Sequence, residues 1–205
     1  MNLARNTTIL LSAITIYLSP AATFAADKYE FDKAHTNILF YVNHLGFSDM
    51  VGRFTDYDGY FTFDEKNPQD SKAEITLKPS GIKTSSDKLD SKLQGDDFFK
   101  SAQFPEIKFT SNSIKVTGDN SGELQGTLTM LGVSRPLVLL VHFNKAGYHP
   151  ISNQYVAGFT ASAKIIRSEF GMNSYLPMVG DEVRIEVQTE GVNLDRKKME
   201  EVKHK

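Results

Sequence analysis

Between Asp27 and Val192 the chain alternates apolar and polar residues at period two, and one stretch, Thr84 to Thr110, breaks that period. The clearest run is Thr36 to Leu45, where Ile38, Phe40, Val42 and His44 share one face and Asn37, Leu39, Tyr41 and Asn43 the other. Successive strand side chains point to opposite faces, so such a run predicts a half-buried β-strand. The exception reads TSSDKLDSKLQGDDFFKSAQFPEIKFT. Thr84 and Asp87 have the spacing of a capping box. Leu89 and Leu93 stand one helical turn apart among charged neighbours. Gly95 suits a left-handed helix end, and Asp96 and Asp97 could cap a further short turn carrying Phe98 and Phe99. Phe104-Pro105 then forces extended backbone. An amphipathic helix followed by paired Phe, inside an all-β pattern, predicts either a cover for an open side of the sheet or a gate.

Further strands are expected from Asp27 to Asp32, Arg53 to Asp64 around a bulge at Gly59, Ala73 to Leu77, Ile107 to Val116, Leu124 to Met130, Leu137 to Phe143, Val156 to Ile166, and Asp181 to Val192. Phe47–Gly52, Gly132–Pro136, Asn144–Gln154 and Arg167–Gly180 read as connections. Leu137 to Val141 is apolar on both faces, which predicts a covering element. Eight or so short strands separated by turns indicate a mainly β, antiparallel barrel or sandwich. Two good faces per strand favour a closed barrel with one amphipathic helix.

The N-terminus stands apart from this pattern. Arg5, an apolar run from Thr7 to Leu18 and small residues up to Ala25 have the form of a secretory signal. The run is shorter than the roughly 20 residues of a membrane span. Cleavage after Ala25 is expected, leaving a soluble, exported domain over 26–192 and a charged tail, 193–205, expected to be disordered. The chain has no cysteine. Thiol chemistry and Cys-ligated metals are therefore excluded, and burial and sheet hydrogen bonds must hold the fold. A formal charge of −2, or −3 once Arg5 is removed, argues against nucleic acid or an anionic membrane as the main partner.

Motifs for chemistry are scarce. The five histidines, His35, His44, His142, His149 and His204, show no metal-ligand spacing, and GxSxG is absent. His44, on an apolar strand face, reads as a core or rim residue hydrogen-bonded to backbone, with a ligand contact as the alternative. Arg167, in Arg167-Ser168-Glu169-Phe170-Gly171, could hold an anionic head group or close the barrel by pairing with a carboxylate. The positive signal is an apolar interior. Fourteen Phe and no Trp supply rings without polar atoms, and the inward set includes Ile38, Phe40, Val42, Phe54, Phe109, Leu128, Met130 and Leu139. An eight-stranded barrel is just wide enough to fill with side chains or hold one slender ligand. Such a lining offers no catalyst but suits a hydrocarbon chain. At roughly 0.8 kcal/mol per methylene, a tail of about 16 carbons contributes about 12 kcal/mol before ordering costs.

Several stretches in order resemble the YceI-like family of exported lipid-binding proteins. They are His35-Thr36-x-Ile38-x-Phe40-x-Val42-x-His44-Leu45-Gly46, Gly52-x-Phe54 with Gly59 and Phe61-x-Phe63, and Thr84 through Leu93 with Asp97-Phe98-Phe99. Phe104-Pro105-x-Ile107-x-Phe109-x-Ser111, Gly126-x-Leu128-x-Met130-x-Gly132-Val133-x-Arg135-Pro136 and Arg167 through Gly171 complete the series. The resemblance implies a single extended, eight-stranded, lipocalin-like barrel enclosing a long apolar tunnel. It also implies a periplasmic location and a non-covalently bound polyisoprenoid, isoprenoid quinone or fatty acyl chain. The chain departs from the family at Ser86-Asp87-Lys88 and Gln94-Gly95, where relatives often carry basic residues, so a pyrophosphate head group is less secure here. The expected function is a non-catalytic carrier or storage protein without cofactor or metal, with an isoprenoid or fatty acyl lipid as partner. An inner-membrane protein is a further candidate partner. Phe61, Phe99, Phe159 and Phe170 join the eight inward residues as tunnel lining, with His44 and Arg167 at the mouth. Two alternatives remain open: an enzyme on a lipid pyrophosphate or ester with His35 or His44 as base, and a stress-related protein whose barrel is filled by its Phe rings.

Overall fold

The alternating runs become eleven strands in a computed structural model that describes residues 26–196. In chain order they are β1 (Asp27–Phe31), β2 (Asn37–His44), β3 (Ser48–Phe54), β4 (Tyr57–Phe63), β5 (Lys72–Leu77), β6 (Ile82–Lys83), β7 (Ile107–Gly118), β8 (Ser121–Met130), β9 (Val133–Tyr148), β10 (Tyr155–Ile166) and β11 (Val179–Asn193). The helix α1 (Asp87–Gln94) lies between β6 and β7. The signal-like segment 1–25 and residues 197–205 lie outside the described residues. Every pairing is antiparallel.

The eleven segments form eight rows, because three rows are interrupted strands: β1 runs on into β2, β3 into β4, and β5 into β6. Closure comes from the first and last rows. Tyr29 of β1 faces Asn193 of β11 on one side and Phe61 of β4 on the other, while β11 also pairs with β2 from Gln188↔Asn37 to Val179↔His44. The result is a closed, mainly β, eight-stranded antiparallel barrel with one short helix. Gly59 provides the expected bend, with φ +153° and an ideal Cβ that would come within 2.2 Å of the Glu74 carbonyl oxygen. A side chain there would collide with the neighbouring strand, so glycine is required.

Some boundaries differ from the sequence expectation. Residues 48–52 are not loop but the first part of β3, paired with β2 from His44↔Ser48 to Ile38↔Phe54. Hydrogen bonding to β2 overrides the polar composition of that stretch. β9 takes in most of the expected connector 132–136 and extends to Tyr148. Its double-sided apolar run is not covered by another element: Leu137, Leu139 and Val141 turn inward, whereas Val138 and Leu140 are exposed. The tail is ordered at its start, since Arg196 Nε reaches Asp27 Oδ2 at 2.7 Å and Lys28 N–H donates to Asp195 at 2.9 Å.

The helix forms where expected but is capped differently. Ser86 is its N-cap, without a side-chain cap bond, and Asp87 takes no capping role. Asp90 is the anchor instead: its buried Oδ1 accepts from both the N–H and the hydroxyl of Thr84 at 2.7 Å, and Lys83 Nζ lies 3.2 Å from its Oδ2. These hydrogen bonds, against the opposing effect of burial, hold the Asp90 carboxyl below the usual aspartate range. Gly95 is extended (φ −78°, ψ −176°), not left-handed. After Gly95 the chain turns back on the helix, with Phe98 N–H donating to Gly95 O at 3.1 Å and Phe99 N–H to Leu93 O at 2.9 Å. Among the described residues β6 has no hydrogen-bonded strand on its other side. Leu93, Phe98 and Phe99 are buried against that side of the barrel.

Candidate functional site

The inward faces of the strands enclose an apolar lumen of two chambers, about 480 and 350 Å³. Ile38, Leu77, Leu128 and Ile185 line both and form the waist between them. The Phe rings therefore do not fill the barrel. The larger chamber lies under α1 and is bounded by Phe40, Val42, Phe54, Phe99, Met130 and Met172, among others. The smaller chamber lies toward the β7–β8 turn, with Phe61, Phe109, Leu139 and Phe159 in its wall.

Aromatic packing shapes each chamber. Phe99 stands edge-on to Phe40 and Phe54, with ring centroids 6.3 and 5.9 Å away. In the smaller chamber Phe159 meets Phe61, Phe63 and Phe143 at 5.0 to 5.4 Å, and Phe61 stacks on Tyr29 at 5.0 Å. Tilted and edge-to-face pairs of this kind add about 0.5–1.5 kcal/mol each beyond their buried area.

Polar groups reach the larger chamber at its mouth, and most are already engaged. Tyr175 stacks on Phe98 (centroids 5.9 Å apart, planes 11° from parallel) and donates its hydroxyl to Asp97 at 3.2 Å. Lys92 ties α1 to the same carboxylate at 2.8 Å and lies 4.8 Å from the Tyr175 ring centroid. The hydrogen bond to Asp97 raises the Lys92 ammonium above its ordinary value, and its reciprocal lowers Asp97. Together these four residues latch the helical segment to the loop between β10 and β11.

Arg167 differs from the expectation. It lines the chamber but is only 2% exposed, and among the described residues no carboxylate accepts a hydrogen bond from its guanidinium. Its guanidinium donates to four backbone carbonyls, those of Met172 (2.7 Å), Gly180 (2.8 Å), Val179 (2.9 Å) and Ser174 (3.0 Å). Asp181 accepts from Ser168 N–H and hydroxyl instead, at 2.9 and 2.7 Å. Burial lowers the Arg167 pKa from its ordinary value, with the nearby Asp181 charge acting in the opposite sense. The irregular segment after β10 has few backbone partners of its own, so one planar five-donor group closes it.

Of the residues picked from the alternation, Ile38, Phe40, Val42, His44, Phe54, Phe99, Leu128, Met130 and Arg167 line the larger chamber. Ile38 and Leu128 also line the smaller one, with Phe61, Phe109, Leu139 and Phe159. Phe170, in the short helical turn Arg167–Phe170 after β10, is buried in the core but lines neither chamber. The alternation does not reach Met172 and Tyr175, which belong to an irregular segment with no period to read, or Val179, which begins β11 ahead of the alternating run from Asp181. Met50 escapes it too, because the polar stretch around it reads as a connection although it is strand β3.

Among the described residues His44 is the histidine that lines a chamber, and no hydrogen bond ties it to a carboxylate that would orient it as a base. His35 lines neither chamber. Its Nδ1 lies 2.8 Å from Asp32 Oδ2, and Asp32, His35 and Glu190 bring three potential ligand atoms within 4.8 Å of one another. Asp32 is already engaged there, accepting from Ala34 N–H as well.

Comparison with known proteins gives a consistent result. A family model described as a YceI-like domain matches residues 29–191. Protein YceI of Escherichia coli O157:H7 is 35% identical over 184 residues, covering 89% of this chain and 95% of its own length. The crystal structure of the Campylobacter jejuni YCEI protein matches with a TM-score of 0.68 at 28% identity, over 74% of this chain and 89% of that one. A polyisoprenoid binding domain from Saccharophagus degradans, implicated in plant cell wall breakdown, shares the fold with a TM-score of 0.63 at 11% identity, over 82% and 99% of the two chains.

Proposed function

The chain belongs to the YceI-like domain family, and from that premise we propose that it is a periplasmic, non-catalytic carrier or storage protein for an isoprenoid-type lipid lying along the two-chambered lumen. The observation that carries this reading is the lumen itself: two neighbouring apolar chambers that share four aliphatic lining side chains. Hydrocarbon gains from every methylene moved into such a lining, and a slender chain can pass a waist that would stop a folded head group. The Saccharophagus degradans domain of the same fold binds a polyisoprenoid by its name, which supports the same class of ligand.

The polar groups narrow the head group. Arg167 is occupied by carbonyls and Lys92 by Asp97. A pyrophosphate entering the larger chamber would have to break one of these arrangements. We therefore favour an uncharged or weakly polar head, such as a quinone ring or an alcohol. Export to the periplasm rests on the signal-like segment 1–25 and on the family.

The test is native mass spectrometry of protein purified from its host, with solvent extraction of bound lipid. An isoprenoid or acyl lipid at close to one per chain is expected. Homogeneous lipid-free protein that also refuses a fluorescent isoprenoid analogue overturns the proposal.

A further inference from the structure

The mouth of the larger chamber carries large apolar side chains turned toward solvent. Phe47, at the tip of the β2–β3 hairpin, is 89% exposed; beside it Leu45 is 49% exposed, and Met178, on the facing loop, 56%. The two loops are joined, since Leu45 N–H donates to Met178 O at 2.9 Å. Their neighbours His44, Tyr175 and Val179 line the chamber, so the apolar crown continues into the lumen. The wall of the smaller chamber, by contrast, includes Glu65, Lys72, Asp119, Asn120 and Ser121 toward the opposite end.

The backbone of the crown is strained. Leu45 and Gly46 both have positive φ (57° and 79°), with Phe47 N–H closing the turn onto His44 O at 3.0 Å. A two-residue hairpin turn of this kind is best made by Asn-Gly, because Asn adopts a left-handed backbone at lower cost than Leu. Leu131-Gly132, between β8 and β9, has the same two positive φ angles (54° and 76°), with Leu131 packed against the core. Tyr175 also has positive φ, at 65°. Turn closure alone would not select Leu at position 45, so another requirement places an apolar side chain there. Charge in the same region is matched: Asp49 lies 3.5 Å from Arg184, and Lys92 2.8 Å from Asp97.

We propose that this end of the barrel docks on a lipid bilayer, with Leu45, Phe47 and Met178 inserting at the interface so that the lumen opens directly onto the hydrocarbon. The inference rests on the lipid-carrier reading and adds where cargo is exchanged. Exposed apolar side chains on loop tips, continuous with an apolar cavity and flanked by neutralised charge, fit the head group–acyl boundary without needing anionic lipid. Insertion of a few such groups resembles anchoring by a single acyl chain, with an association constant of order 10⁴ M⁻¹. That strength lets a carrier land and leave.

The test is flotation of the purified full-length mature protein with millimolar phosphatidylcholine vesicles, with and without one-quarter phosphatidylglycerol, at low and at half-molar salt. The wild type should float with both vesicle types at both salt concentrations. Phe47→Asp and Met178→Asp should each weaken binding by roughly tenfold or more. Ile151, on the β9–β10 hairpin at the far end of the barrel, is 87% exposed and supplies the matched control. Ile151→Asp should bind like the wild type. Leu45→Asn is expected to weaken vesicle binding while leaving thermal stability equal or higher, a pair of changes that misfolding cannot produce. No flotation of the wild type, equal loss in Ile151→Asp, or binding only to anionic vesicles at low salt overturns the proposal. Bound lipid is measured on the same samples. Cargo without flotation sinks the docking site alone, and flotation without cargo sinks the carrier reading alone.

Discussion

The ring of Phe40 lies across the place where a side chain on its cross-strand partner Gly52 would stand: an ideal Cβ at position 52 would come within 2.1 Å of Phe40 Cζ. Rings also lie over glycines that are not their direct cross-strand partners, Phe109 over Gly126 and Phe61 over Gly191, at 2.6 and 2.3 Å, with the Thr110 carbonyl oxygen closer still to position 126 at 2.5 Å. In each case the ring lies along the barrel wall in space that a Cβ would otherwise occupy. The missing side chains are what allow a Phe-rich barrel to keep an open lumen.

Gly52→Ala should therefore displace Phe40 into the larger chamber. Overpacking of this kind costs about 1–3 kcal/mol, and the narrowed bore should lower the bound-lipid stoichiometry. Urea unfolding and lipid extraction measure the two effects. In a Phe40→Leu background the penalty should largely vanish, because the clash has been removed; a penalty that persists would place its cause elsewhere.

Helix attachment divides into a core part and a latch part. Phe99 is buried between Phe40 and Phe54, so Phe99→Ala should lower stability by about 3–5 kcal/mol as a cavity mutant. Tyr175 is partly exposed and joins Phe98, Asp97 and Lys92 at the mouth. Tyr175→Ala should accelerate release of a fluorescent isoprenoid severalfold in stopped-flow measurements with little change in global stability. If release is unchanged, the helical segment is a static cover.

Arg167 is expected to act on stability rather than on ligand choice. Arg167→Met removes the donor from four carbonyls at once, and unpaired buried carbonyls cost about 1–3 kcal/mol each. A loss of at least ~3 kcal/mol is predicted, with Arg167→Lys rescuing little because an ammonium cannot span that fan of acceptors. Denaturant melts of both variants provide the check. A stable Arg167→Met protein that has lost only its lipid would restore the ligand-contact role.

His35 gives a pH signature. Its hydrogen bond to Asp32, and the charges of Asp32 and Glu190, raise its pKa above the ordinary histidine value. Burial works to raise Asp32, but the hydrogen bonds from His35 and from Ala34 N–H outweigh it and leave that carboxyl low. A raised histidine pKa stabilises the fold fully below the unfolded value of about 6.5 and loses that contribution as pH rises through the folded value. The difference in melting temperature between wild type and His35→Ala should thus be positive near pH 5.5 and disappear by about pH 9. A difference constant across that range would assign His35 a purely packing role.

What the sequence by itself determined is the parity of the strands. Because side chains alternate strictly, Ile38, Phe40 and Val42 had to share a face, as did Val183, Ile185 and Val187, and a closed barrel turns those faces inward. The break in period likewise marked α1 and its Phe pair. Contacts made across the barrel followed no local rule. Residues 48–52 became strand because β2 offered hydrogen bonds along their length, and Asp90 replaced Asp87 as the helix anchor because Thr84 folded back onto it. Arg167 took up the carbonyls of a loop that only closure of the barrel brings around it. Periodicity is a property of neighbours along the chain, whereas the partner of a buried donor, the space left for a ring beside a glycine and the apolar crown at the mouth depend on residues brought together from distant parts of it.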